Sequence, residues 1–315
     1  MNPTWECAVV GGGAAGLSGA LVLGRARRRT LVVDSGRQSN LPAHGIGGLL
    51  GHDGRNPADF YKLGIEELKQ YPSIDFLEET VEEVTGSDGD FSLVFSDGSS
   101  ASADKVILAG GMDYEVESLD GIEKLWGRSV FHCPFCHGWE MRDRPLAVRG
   151  NGERGIHGAL LLRGWSEDVV LLTDGPSELE AEELNKLEAA GVRVEQRKIA
   201  GLLAEGSELL AVAFADGPNL SRDGLLLAPR LRQRTGLTSW LGVRLAPENP
   251  MSVDAIEVDA MQRTSVPGVF AAGDVAGGLP QVAAAVASGS MSGSAAVQSI
   301  LADQYGLPVP AAAAR

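Results

Sequence analysis

Short apolar runs that stop at glycine alternate along this chain with longer stretches built from small, apolar and charged residues. Cys7–Val10 is such a run and reads as a buried strand. Small and apolar residues then continue with helical character to about Arg28, and a second apolar run, Thr30–Val33, ends at Asp34. The same order returns later: a strand at Leu146–Val148, a helix, and a strand at Val169–Thr173 that ends at Asp174. Val269–Ala271 is a third short strand, closed by Gly273 and Asp274, and a long helix of small residues starts near Gln281. "SELEAEELNKLEAAGV" has the pattern of an amphipathic surface helix. Strand, helix and strand in repetition predict an α/β fold with two Rossmann-like dinucleotide-binding units.

The turns between these elements carry the first chemistry. Gly11-Gly12-Gly13-Ala14-Ala15-Gly16 is a G-x-G-x-x-G turn between strand and helix. Gly11 makes the turn, Gly13 lets backbone approach a pyrophosphate, and Gly16 lets helix and strand pack closely. The helix N-terminus attracts phosphate through its dipole and free N–H groups. Asp34 falls where an acid binds a ribose hydroxyl, roughly 20 residues on. Gly150-Asn151-Gly152-Glu153-Arg154-Gly155 repeats the pattern. There Asp174 could serve NADH, or the unit could be a scaffold that holds no nucleotide. The basic run Arg25–Arg29 reads as the solvated last turn of the first helix, and Cys7 as a small core residue.

Order along the chain implies nesting. Residues 1–115 and 237–315 form one dinucleotide-binding unit, and 116–236 form a second unit inserted into it. "VILAGGMDYEVESL" leaves the first unit and "RTGLTSWLG" returns to it, while the terminal "PVPAAAAR" reads as a low-complexity, frayed end.

At the entrance to the insert stands "HCPFCHGWE", with Cys133 and Cys136 between His132 and His137. This spacing admits haem attachment, a zinc set or a thiol–disulfide redox pair. Composition bears on the choice. The chain has 315 residues and three cysteines, and no basic leader precedes the first strand, so a cytoplasmic protein is expected. Haem attachment needs export, and zinc wants more ligands than Cys7 can add. A redox pair is the preferred reading, with no metal. The net charge of −15 argues against nucleic acid, and no run approaches the ~18–20 apolar residues of a membrane span.

Taken together, GGGAAG, Cys133-Pro134-Phe135-Cys136 before the second glycine turn, and "TSVPGVFAAGDV" resemble the low-molecular-weight thioredoxin reductase-like flavoproteins over essentially the whole chain. The resemblance implies FAD, a homodimer, and cysteines that face the flavin. It makes Cys136 the flavin-proximal thiol and Cys133 the thiol that exchanges with substrate. It places FAD on Gly11, Gly13, Ala14, Ala15, Gly16, Asp34, Ser35, Gln38, Asn40, His44, Gly273, Asp274, Gln281 and Val282, with segment 35–54 wrapping the flavin.

Two departures sharpen the resemblance. His137 stands where the reductases usually have an aspartate, and a histidine accepts a thiol proton better at neutral pH. Trp139 is expected to pack, and Glu140 to orient His137. "LLTDGPSELEAEE" stands where NADPH-using members carry an arginine-rich "HRRxxxR" stretch, so the 2′-phosphate would meet acids. Both features are similar to the dithiol oxidases of gliotoxin, holomycin and romidepsin biosynthesis. That likeness implies closure of a disulfide in a small-molecule dithiol, as in antibiotic biosynthesis, with oxygen taking the electrons as hydrogen peroxide. The alternative is an NADH-dependent thioredoxin or disulfide reductase.

Overall fold

The computed structural model describes residues 4–308; the end of the low-complexity tail lies outside them. The first sheet is built from β1 (Thr4–Val10), β2 (Thr30–Asp34), β3 (Ile74–Glu78), β4 (Val81–Ser87), β5 (Asp90–Phe95), β6 (Ser100–Leu108) and a last strand, Val269–Ala271, in the order β3-β2-β1-β6-β5-β4. β1 and β6 are its spine, paired in parallel from Thr4↔Ser102 to Val10↔Leu108. The outer edge of β6 is shared. Its first half pairs antiparallel with β5 and its last residues pair parallel with Val269–Ala271. The late strand therefore closes on a sheet built from the chain's first third.

Helix α1 (Ala14–Arg25) follows β1, and α2 (Pro57–Leu68) packs on α1 behind an Asn56 side-chain cap and a proline in the first turn. Glycines bring the chain's long last helix, Val282–Tyr305, against α1. A Cβ on Gly289 would lie 2.1 Å from the Ala15 carbonyl oxygen, and one on Gly293 2.6 Å from that of Gly19. Ser18 also donates its hydroxyl proton to the Val286 carbonyl at 2.7 Å. The basic run differs from expectation. α1 ends at Arg25, the chain turns at Arg27 (φ 61°), and Arg28 pairs with Glu6 at 3.1 Å. The run is thus a turn pinned to β1, because the left-handed residue stops the helix early.

Between β6 and Val269–Ala271 lies the second set of strands. β7 (Met112–Glu115) leads out, and β8 (Val130–Phe131) and β9 (Leu146–Arg149) flank the short α3 (Pro134–His137). α4 (Gly152–Leu162), β10 (Val169–Leu172), α5 (Ala181–Ala189) and β11 (Arg193–Glu195) follow. Next come the antiparallel β12 (Ile199–Glu205), β13 (Glu208–Phe214) and β14 (Leu220–Ser221), then β15 (Gly224–Leu226). The parallel sheet runs β11-β10-β9-β15-β8. β16 (Arg230–Gln233) returns antiparallel to β7, so the crossing in both directions is one two-stranded ribbon. α6 (Leu237–Leu241) follows it, and the late strand and long helix above are β17 and α7.

The amphipathic helix expected from Ser177 onward begins only at Ala181. The Glu183 carboxylate accepts the Glu180 N–H in a capping box, and the preceding acids fold across the start of α4. Among the described residues no helix is long and apolar enough to cross a membrane.

Candidate functional site

A single long cavity runs from the first glycine turn to the cysteine pair. Gly11, Gly13, Ala14, Ala15, Asp34, Ser35, Gln38, Asn40, Gly273, Asp274, Gln281 and Val282 line it, together with Cys136 and His137. Gly11 has φ +106°, and a Cβ there would sit 2.4 Å from the Ala109 carbonyl oxygen, so β1 can turn tightly only with glycine. Gly13 meets nothing nearer than Gln38 Cγ at 3.8 Å, so its backbone is open to a ligand. It caps α1 without any side chain, which leaves the first N–H groups of the helix to the cavity. Asp34 accepts the Gly12 N–H and the Gln38 side-chain N–H, each at 2.9 Å, and keeps further lone pairs for ribose hydroxyls. Asn40 is held by the Tyr61 hydroxyl at 2.7 Å.

Two predicted residues stand elsewhere. Gly16 does not line the cavity. A Cβ there would be 1.8 Å from the Gly11 carbonyl oxygen, so its part is close packing inside the turn. His44 does not line the cavity: it is exposed, in a run of turns and bends whose Ala43, Gly45 and Ile46 take the cavity side. Its ring lies 3.0 Å from the Arg128 guanidinium.

At the far end Cys133 and Cys136 are bonded to each other, with Cα atoms 5.3 Å apart. Cys136 lines the cavity, and Cys133 is 8% exposed. The thiol assigned to substrate exchange is therefore the more shielded one in this arrangement. Gly47 of the segment after Asp34 packs on this helix, where a Cβ would be 2.5 Å from the Cys136 carbonyl oxygen. The His137 ring stacks on Phe131 at 5.6 Å and its Nε2 lies 3.2 Å from the Gly127 carbonyl. A carbonyl only accepts, so Nε2 carries the proton and Nδ1 keeps its lone pair. Burial lowers the His137 pKa, which favours the neutral ring.

Trp139 does not pack as expected. It is 66% exposed, with the Arg142 guanidinium 4.0 Å above its ring. Glu140 is also exposed and acts on His137 through charge.

Sequence reasoning missed several lining residues, among them Tyr61, Tyr114, His132 and Arg234. The His132 ring lies against Tyr114, tilted by 40° with centroids 4.4 Å apart, and burial pushes its pKa down to about 4. Burial pushes the Asp274 carboxyl up to about 6, against the pull of Arg234. No motif marks Tyr114 or Arg234: the first lies on β7 and the second just after β16, more than a hundred residues apart in the chain.

The second glycine turn is built differently. Asn151 caps α4 with its own side chain: Oδ1 accepts the N–H groups of Gly152 and Glu178 at 3.0 Å, and Nδ2 donates to the Pro176 carbonyl at 3.1 Å. Asp174 accepts from Arg149 at 2.9 Å and from the Ile199 N–H at 2.8 Å. The acid that would hold a ribose is engaged inside the protein, and the acidic loop lies over the helix start.

A closed cysteine pair on the wall of a dinucleotide-type cavity is the arrangement of a disulfide oxidoreductase. Residues 5–289 match the pyridine nucleotide-disulphide oxidoreductase family, and the chain belongs to it. Among known proteins it is similar to the thioredoxin reductase tcpT of Claviceps purpurea, with 32% identity over 96% of each chain. Its identity to the thioredoxin reductase sirT of Leptosphaeria maculans is 31%, over 92% of each. Its fold matches an oxidoreductase from Agrobacterium tumefaciens with a TM-score of 0.89 at 37% identity, covering 95% of this chain and 99% of that one.

Proposed function

We propose that this protein is an FAD-dependent dithiol oxidase that closes an intramolecular disulfide in a small-molecule dithiol and passes the electrons to oxygen. The observation that carries this reading is the contrast between the two glycine turns. The first leaves its helix N–H groups to a cavity that reaches the cysteine pair, whereas the second is engaged by Asn151 and roofed by acids. Electrons then enter through the cysteines, and a nicotinamide cofactor has no prepared seat.

Gly13, Ala14, Ala15, Asp34, Asn40, Asp274 and Gln281 would hold FAD, whose open cradle at Gly13 fits a pyrophosphate. When bound, FAD supplies the two-electron acceptor for the enzyme dithiol and the route to oxygen, which leaves as hydrogen peroxide.

The protein's own part is thiol exchange. A substrate thiolate attacks Cys133 Sγ, a substrate–Cys133 disulfide forms, and Cys136 leaves as thiolate. The second substrate thiolate then attacks the substrate sulfur of that bond, giving the product disulfide and freeing the Cys133 thiolate. Two protons come off the substrate; His137 Nδ1 takes one of them and solvent takes the other. Exchange at Cys133 calls for α3 to open, since that residue is nearly buried here. A homodimer in the cytoplasm completes the reading.

The likeness to the thioredoxin reductases tcpT and sirT favours a second reading, a disulfide reductase, for which NADH would be the electron source. Anaerobic mixing separates the two. The oxidase reading expects flavin bleaching by a simple dithiol and none by NADH or NADPH. Prompt bleaching by either nucleotide at modest concentration overturns it in favour of the reductase.

A further inference from the structure

Arg234 lies at the end of the returning strand, and its guanidinium joins three parts of the chain. Nε donates to Asp113 Oδ1 at 2.7 Å and Nη2 to the Met112 carbonyl at 3.3 Å, both on the outgoing strand β7. Nη1 donates to the Arg37 carbonyl, in the loop between Asp34 and Gln38 that lines the cavity. The side chain is 15% exposed, itself lines the cavity, and acts by charge on Asp274 and Tyr114. One N–H on each terminal nitrogen has no protein partner among the described residues. A cation with free donors on a cavity wall, otherwise fully engaged in holding the crossing ribbon to the cofactor loop, is more than a structural peg.

We propose that Arg234 is a positioning residue that ties the dinucleotide to the ribbon between the two units: its free N–H groups meet the bound cofactor while its other bonds fix Met112, Asp113 and Arg37. Cofactor loading and the relative placement of the redox helix then form one coupled equilibrium, because the group that senses the cofactor also sets the crossing. By linkage, whatever loosens the ribbon weakens the cofactor, and the reverse. The proposal rests on the dinucleotide reading above.

The test compares wild type, Arg234→Gln and Arg234→Lys, each freed of cofactor and titrated with FAD. Flavin fluorescence gives affinity, and amide exchange of residues 112–115 and 230–233 is followed with and without FAD. Arg234→Gln is expected to weaken FAD by at least ~10-fold and to erase the added protection of the ribbon. Arg234→Lys keeps the charge but not the fork, so it is expected to restore part of the affinity and little of the protection. Asp113→Asn is expected to loosen the ribbon without FAD and to weaken FAD less than Arg234→Gln does. Should Arg234→Gln fail to fold, Arg234→Lys decides by the same two readouts. Wild-type affinity together with wild-type FAD-dependent protection in the deciding variant overturns the proposal. Failure of wild type to bind FAD at all overturns the dinucleotide reading instead.

Discussion

The two glycine turns share a pattern and differ in use. In both, the last glycine is a packing residue: a Cβ on Gly16 would lie 1.8 Å from the Gly11 carbonyl oxygen, and one on Gly155 2.8 Å from the Gly150 carbonyl carbon. They part at the residue that caps the helix. Gly13 has no side chain and leaves α1 open, whereas Asn151 takes the first N–H of α4 and holds the acidic loop beside it. A G-x-G-x-x-G pattern thus specifies a way of joining strand to helix, and a ligand requires in addition that the helix N–H groups be left free.

Valine at either packing glycine is the strongest test. Gly16→Val and Gly155→Val are each expected to cost ~3 kcal/mol or more by overpacking against backbone that cannot yield. Urea unfolding measures both, and a mild loss at Gly155 alone would show that the second turn has slackened along with its ligand.

Binding comes next. FAD is expected to bind at least ~100-fold more tightly than NADH, about 2.7 kcal/mol. Calorimetry with both nucleotides checks this, and comparable affinities would erase the contrast.

Acidity probes the two buried groups by the cavity. The folded His132 pKa lies below its ordinary value of 6.5, at about 4, so its contribution to stability is lost as pH falls through that window. Asp274 lies above its ordinary 3.8, at about 6, so its penalty is relieved over nearly the same range. In cofactor-free protein, His132→Phe should gain on wild type as pH drops from 7 to 4. The advantage of Asp274→Asn should be largest at pH 7 and shrink toward pH 4. Thermal melts across that range test both signs.

Smaller effects remain. Asn151→Ala removes a cap and should cost ~1 kcal/mol. It should raise NADH affinity only slightly, because Asp174 stays engaged by Arg149. Arg232→Ala breaks an exposed pair with Glu115 on the ribbon and should change stability by less than ~1 kcal/mol, seen as a small midpoint shift.

Much of this molecule is written locally. Cys7–Val10, the turn at Gly11 and the acid at Asp34 lie close together in the chain, and a period of apolar residues with one glycine pattern is enough to read them. The place of Cys136 beside the cavity follows from chain order plus resemblance. His44 lies off the cavity, and a loop gives no period from which to tell inward from outward. The late start of α5 was hidden because its first residues favour helix by composition but bond to Asn151 and Glu183 instead.

The α/β class, two strand–glycine–helix turns, and a cysteine pair suited to redox exchange are legible in the residues alone. Those features depend on neighbours within a few dozen residues, where propensity and spacing carry the information. Which turn stays open, the shielding of Cys133 while Cys136 meets the cavity, and the bonds of Arg234 to Asp113 and Arg37 emerge only in the folded chain. Each of these depends on hydrogen-bond partners brought together from distant parts of the chain, and a donor's availability is known only once every competing acceptor is in place.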